Sequence, residues 1–268
     1  MSTANRSVAA AVATLVSGTA LGIFGLAFGT VLALIALLVL VAGGIVEFTA
    51  TVTLVVGLLM TQGVGCFCTA IGYSRYRHRL TGLLERVVGE RSWLATRPFR
   101  IPARVPTLKD LAYVAGAYVL AFGGVTVVGL LVSATGVEAA NNAAAETGMQ
   151  NPELLLLLIP GSILLIGPGE ELLFRGVVQG RFREHFGPAV AIVSASLLFA
   201  AIHFTALQGA AGARLVTIGI LVVPALVFGV VYELTDNIVV PALVHGLYNA
   251  TLFGLLYLST VVAPTMGA

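Results

Sequence analysis

Residues 154–179 read LLLLLIPGSILLIGPGEELLFRGVVQ, an apolar stretch interrupted by two adjacent carboxylates, Glu170 and Glu171, with Arg175 four residues further on. A membrane-crossing helix needs about 20 mostly apolar residues, so the stretch reads as a transmembrane span. Charge at such depth is costly and marks a functional site. Glu171 and Arg175 share a helix face at four-residue spacing, and an ion pair between them makes their burial tolerable. Glu170 sits about 100° further round the helix and is left without a local partner. Gly167, Pro168 and Gly169 interrupt the same helix just before it. A proline at depth frees a backbone carbonyl, which is tolerated where the chain faces protein or a wet cavity, so a kink that opens space beside Glu170 is expected.

The rest of the chain supports the membrane reading. Of its 268 residues 58% are hydrophobic and only 10% charged, with a mean hydropathy of +1.02, more apolar surface than a soluble domain of this size hides in one core. Candidate spans lie near 8–42, 48–73, 108–135, 152–180, 188–207, 213–234 and 238–262. The first is too long for one untilted crossing and too short for two, so the fold class is all-α, a polytopic transmembrane helical bundle of about seven spans, within six to eight. A signal peptide is disfavoured, because a single Arg6 precedes an apolar run that does not stop.

Net charge is +2, but nine of the fourteen basic residues lie between Arg75 and Lys109. A basic cluster between spans marks the cytoplasmic side. It places the N-terminus and Arg6 inside, the loop with Glu138 and Glu146 outside, and Arg181 and Arg183 inside again, in an integral protein of the cell membrane. With Trp93 and Phe99 the loop also suits contact with anionic lipid headgroups. It has no aromatic-and-basic module for nucleic acid. Thr81 to Glu90 reads as a short surface helix, Pro98, Pro102 and Pro106 as an extended linker, and Gly136 to Asn151 as an external loop with at most a helical turn. Cys66 and Cys68 diverge on a helix and read as packing residues.

Two further polar pairs fall in later spans: His203, four residues after Phe199, and Asn249, four after His245. Gly187-Pro188 is the natural turn of a helical hairpin, with Glu170 17 residues before Gly187 and His203 16 after it. Each therefore lies about 25 Å from the tip at 1.5 Å per residue. Counted from Arg181, Glu170 is about 16 Å deep, while a boundary near Asp236 and Asn237 puts His245 about 12 Å and Asn249 about 18 Å inside. The three pairs converge on one level. An unpartnered Glu170 suits a general base that takes a proton from water and later returns it. His203 suits holding that water or shuttling the proton. His245 and Asn249 both carry N–H groups suited to a developing oxyanion. Each element has a plainer reading as well: a buried Glu–Arg pair can be purely structural, and a membrane histidine often bonds a backbone carbonyl. Glu233 and Asp236, beside Thr235, read as capping or interfacial groups, Glu47 as an external loop residue, and His78 and His185 carry no role.

E-E-x-x-x-R at Glu170 to Arg175, F-x-x-x-H at Phe199 to His203 and H-x-x-x-N at His245 to Asn249 together resemble the CPBP intramembrane protease family, the CAAX prenyl protease and bacteriocin-processing group with its Rce1-like members. The resemblance covers roughly 108–262, which divides the chain into N-terminal spans with a basic loop (1–107), a CAAX-protease-like membrane core (108–262) and a short tail (263–268). It implies an endopeptidase acting on a membrane protein or lipidated, CAAX-type peptide at the bilayer, with Glu170 and His203 activating water, His245 and Asn249 stabilising the oxyanion, and Glu171, Arg175 and Phe199 in support. A cavity open to the cytoplasmic side is expected. Cofactor-free chemistry is favoured over zinc; Glu170, His203 and His245, with Glu171, are the donors a zinc version would use, but there is no H-E-x-x-H pair. The alternative from another class is a small proton-coupled transporter, which the absence of internal repeats disfavours.

Overall fold

The computed structural model describes residues 3–88 and 99–262. Among the described residues seven helices are long and apolar enough to cross a membrane: Ala10–Ala42, Ala50–Arg79, Leu108–Ala134, Pro152–Arg183, Pro188–Ala206, Ala211–Thr235 and Val239–Val261. The chain is a polytopic, all-α membrane bundle, as its apolar periods predict. The ambiguous first stretch is one continuous helix from Thr3 to Ala42, so it is a single long crossing. The helix of the second span runs on unbroken to Val88; the separate surface helix expected from Thr81 is its continuation. Glu90, Trp93, Pro98 and the tail 263–268 lie outside the described residues.

One end of the bundle collects the basic groups. Arg77 and Arg181 both pair with Glu184 in the turn after the fourth span, and Arg183 pairs with Glu233 at 2.9 Å. Thr107 and Asp110 form a capping box at the start of the third span, and Arg104 pairs with Asp110. Reciprocal capping satisfies amide donors that a helix start otherwise leaves open. The proline-rich linker is not slack. Asn237 accepts from the Arg104 amide and donates to the Arg104 carbonyl, both at 3.1 Å. The Ile238 amide donates to the Pro102 carbonyl at 2.9 Å, and Phe99 and Ile101 pack on Gly180 and Gly176 of the fourth span. Asp236 ends the sixth span in a left-handed conformation, φ 45°. Residues 99–107 are thus a strap fastening the fourth span to the turn before the seventh.

The opposite end is more ordered than a loop. Asn141–Asn142 (β1) pairs antiparallel with Leu207–Gln208 (β2), and a helix follows over Ala143–Gln150, capped by the Asn142 side chain on the Ala144 and Ala145 amides.

Between the two ends the spans pack through glycines, as expected where lipid supplies no hydrophobic drive and close backbone approach does the work. A Cβ on Gly65 would lie 2.6 Å from the Gly25 carbonyl of the first span. One on Gly167 would lie 2.6 Å from the Ala242 carbonyl and 2.8 Å from the Gly246 nitrogen, and one on Gly169 would strike the Gln62 carbonyl. The expectation that Gly167 to Gly169 open space is therefore corrected. The helix continues through Pro168 with widened, π-type turns over Ser162–Ile166 and Leu172–Gln179, and the missing side chains admit the second and seventh spans to either flank of Glu170. Such turns are a frequent device at functional sites. Overpacking a tight contact costs about 1–3 kcal/mol, so Gly169→Ala should lower the thermal unfolding midpoint of the detergent-solubilised protein. Gly123→Ala, whose added methyl meets nothing within 4 Å, should leave that midpoint unchanged.

Candidate active site

The fourth span brings its two carboxylates to the centre of the bundle, Glu170 5% exposed and Glu171 fully buried. Glu171 Oε1 accepts from Arg175 Nη1 at 3.0 Å within its own helix and from His245 Nδ1 of the seventh span at 2.8 Å. Arg175, itself fully buried, also donates through Nη2 to the Ala225 carbonyl of the sixth span at 2.8 Å. The predicted ion pair is present, and it is one half of a three-helix junction. Aromatic faces close around it. The Arg175 guanidinium lies 4.6 Å from the Phe199 ring and 5.5 Å from that of Phe228. Phe228 stacks on His245 with centroids 4.8 Å apart, and Phe199 meets His245 edge-on at 5.7 Å. A cation over desolvated rings gains about 2 kcal/mol or more, which offsets part of the burial cost. Phe199 therefore packs against the motif helix, through Phe174 at 5.2 Å, and against the charged network as well.

Glu170 turns the other way. Its Oε1 accepts from Gln62 Nε2 of the second span at 3.1 Å. Its Oε2 is buried without a hydrogen-bond partner among the described residues and lies 4.0 Å from His245 Nε2. The partnerless Glu170 of the sequence reading thus has one partner, on one oxygen only. Asn249 Nδ2 lies 3.1 Å from His245 Nε2, and His203 Nδ1 lies 2.8 Å from the Phe199 carbonyl.

These contacts fix the tautomers. A carboxylate and a carbonyl only accept, so His245 and His203 each carry a proton on Nδ1. Neutral His203 then presents a bare Nε2. Neutral His245 presents its Nε2 lone pair to the Asn249 amide, so it has no N–H left for an oxyanion; only Asn249 does. His245 becomes a second donor only when Nε2 also carries a proton.

Glu170, Phe199, His203, His245 and Asn249 line one cavity of about 910 Å³ with Gln62, Phe228 and Tyr248. All three motifs meet there. Glu171 and Arg175 sit behind it. Sequence reading missed Gln62 and Phe228; a lone amide in the middle of an apolar span is the signal that marks Gln62. Cys66 is buried in the adjoining core and Cys68 is exposed on the same helix, both as free thiols, in keeping with their divergent spacing.

The order and spacing of these groups find a counterpart among known proteins. Residues 152–251 match the Rce1-like family of type II CAAX prenyl endopeptidases. No curated protein and no solved structure matches the chain. The Rce1-like segment runs from the start of the fourth span into the seventh and carries every motif position; Gln62 is supplied from outside it. Residues 152–251 are thus similar to a family of intramembrane proteases, and the seven apolar helices of the described residues make the chain an integral membrane protein.

Both ring nitrogens of His245 are engaged by Glu171 and Asn249. No group of three or more His, Cys, Asp or Glu side chains among the described residues is placed to hold a metal. Removing one partner of a buried pair costs about 3–5 kcal/mol, because the other charge is left uncompensated. Arg175→Met should therefore sharply reduce the yield of folded protein recovered after a mild heat challenge, and Arg175→Met combined with Glu171→Gln should recover part of that loss.

Proposed function

We propose that this chain hydrolyses a peptide bond of a membrane-associated polypeptide with water activated by Glu170. The observation that carries the reading is Glu170 Oε2, a buried carboxylate oxygen without a hydrogen-bond partner among the described residues, in a side chain that lines one cavity with His203, His245 and Asn249. In this mechanism a water molecule sits between Glu170 Oε2 and the bare Nε2 of His203. Glu170 takes one proton as the water oxygen attacks the substrate's carbonyl carbon. The oxyanion that forms accepts from Asn249 Nδ2 and, when His245 is protonated, from His245 Nε2. Glu170 then hands its proton to the departing amine, the C–N bond breaks, and the carboxylate is restored. Gln62, donating to Oε1, orients the carboxyl so that Oε2 faces the water.

Glu171 and Arg175 act through His245: the shared carboxylate sets its tautomer and ring plane. The aromatic sheath excludes water from this support and leaves Glu170 on the wet side. A proton-coupled transporter has less support, since a relay needs a path past the site, and next to Glu170 the bundle is packed with fully buried Leu173, Phe174 and Arg175.

Glu170→Gln is nearly isosteric and keeps an acceptor for Gln62. It should abolish peptidase activity in reconstituted vesicles while the thermal midpoint stays within a degree or so of the parent protein. Activity surviving in that variant would remove Glu170 as the base. Losing one oxyanion donor typically lowers kcat about 10²–10³-fold, and Asn249→Ala should show a loss of that order with a smaller change in KM. Chelation followed by metal readdition on purified protein checks the metal-free mechanism: activity should be unchanged by the chelator, and zinc-restored activity after a loss would overturn it.

A further inference from the structure

The cavity extends from the site in one direction only. On the second span its wall runs from Ala50 to Gln62, on the sixth from Thr217 to Phe228, and on the seventh from His245 to Leu256; no residue of Cys66–Arg79, Val231–Thr235 or Val239–Val244 takes part. On the fourth span the wall runs from Leu158 to Glu170, the fifth adds Phe199 and His203, and the remainder comes from Phe48, Thr49, Asn142 to Ala145, Thr147, Ala206 and Leu207. Every one of these departures from the site heads toward the turn before the second span, the β1–β2 pair and the short helix. That end lies opposite the one where Arg77, Arg104, Arg181 and Arg183 make their ion pairs. On the basic side the bundle is closed by Leu173, Phe174, Arg175, Gln179 and Phe182, each no more than 1% exposed.

The two ends also differ in charge. Of the basic residues, Arg214 alone sits in the segments of the open end, against Glu47, Glu138, Glu146 and Glu153. By the bias of Lys and Arg toward cytoplasmic loops, the closed end is cytoplasmic and the open end faces outward. By this orientation the mouth lies on the side opposite the expected cytoplasmic opening. Within the cavity Glu170 is the one charged side chain among the described lining residues, and the other polar groups, such as Thr53, Thr61, Asn142 and Thr217, are neutral. Beyond the two histidines of the site, nothing there offers a cation to a chain-terminal carboxylate.

Taking the peptidase reading as its basis, we propose that the site is reached from the external face and accepts uncharged, largely apolar segments of polypeptides presented on that face. Such a segment descends past Asn142 and Thr147, along Leu221 and Leu252, until a carbonyl meets Glu170. A tail displayed on the cytoplasmic surface meets a separate cavity of about 610 Å³ at Ile71, Phe99, Ile101 and Leu172, which shares no lining residue with the site.

The test needs no turnover. In a Cys68→Ser parent, which retains buried Cys66 as the labelling blank, single variants Ala144→Cys at the rim, Leu221→Cys in the wall and Lys109→Cys at the basic end are treated in intact cells with a small membrane-impermeant cationic thiol reagent. The expected result is modification of Ala144→Cys and Leu221→Cys in intact cells and of Lys109→Cys only after permeabilisation. Any other pattern overturns the external access. Two single-span reporters carrying the same uncharged apolar segment, one outside and one inside, are then co-expressed with the parent, and loss of the full-length outward reporter alone is expected. The stated labelling pattern with neither reporter cut would sink the peptidase reading and leave the direction of access standing. Loss of the inward reporter alone would overturn the access while keeping the peptidase.

Discussion

The carboxylate of Glu171 holds this protein's centre together. One of its oxygens accepts from the guanidinium of its own helix and from the imidazole of the last helix, and that guanidinium reaches on to a backbone carbonyl of a third. An isolated charge at this depth would be prohibitive, and a simple pair would do no more than cancel itself. Because the acceptor is shared, the same contact that neutralises Arg175 also fixes which nitrogen of His245 bears hydrogen and which way its ring faces. Phe199 and Phe228 enclose the network and keep it dry. The neighbouring carboxylate, one residue earlier and turned to the cavity, stays outside this network. Two adjacent glutamates thus have separate duties assigned by direction alone.

Much of this was legible in the chain. The spans followed from apolar length, and the internal pair followed from the four-residue spacing of Glu171 and Arg175. The convergence of Glu170, His203, His245 and Asn249 on one cavity followed from counting helical rise on either side of Gly187. Spacing along a helix fixes depth, and depth is what the counting used. What stayed hidden depends on rotation and on partners distant in sequence. Gln62 reaches Glu170 from a helix 108 residues earlier, and no local pattern specifies which span lies alongside. The His245 tautomer depends on the Glu171 contact, which spacing leaves open. The direction of the cavity mouth depends on which ends of five helices splay apart. The glycines around Pro168 were misread for a related reason: a residue without a side chain looks like room until the partner backbone that fills it is known.

The strap at the basic end shows the same division between local and distant causes. Prolines make residues 99–107 non-helical, as their lack of amide hydrogens requires. That the segment binds Asn237 and covers Gly176 and Gly180 is a tertiary outcome. It ties the start of the helix bearing His245 and Asn249 to the helix bearing Glu170, so the two halves of the site share one anchorage outside the apolar slab.

Under the proposed peptidase reading, the glycine contacts beside Pro168 carry a consequence for the substrate. With Gly167 against Ala242 and Gly246, and Gly169 against Gln62, main chains touch main chains on both flanks of Glu170, and close-packed backbone does not yield as a flexible side chain does. The cleft is thus unable to stretch around a bulky guest. A substrate arriving as an intact helix keeps its carbonyls locked in its own ladder and presents none to attack. The distortion falls on the guest, which has to unravel by about a turn before it reacts, so residues that weaken helices near the scissile bond favour cleavage.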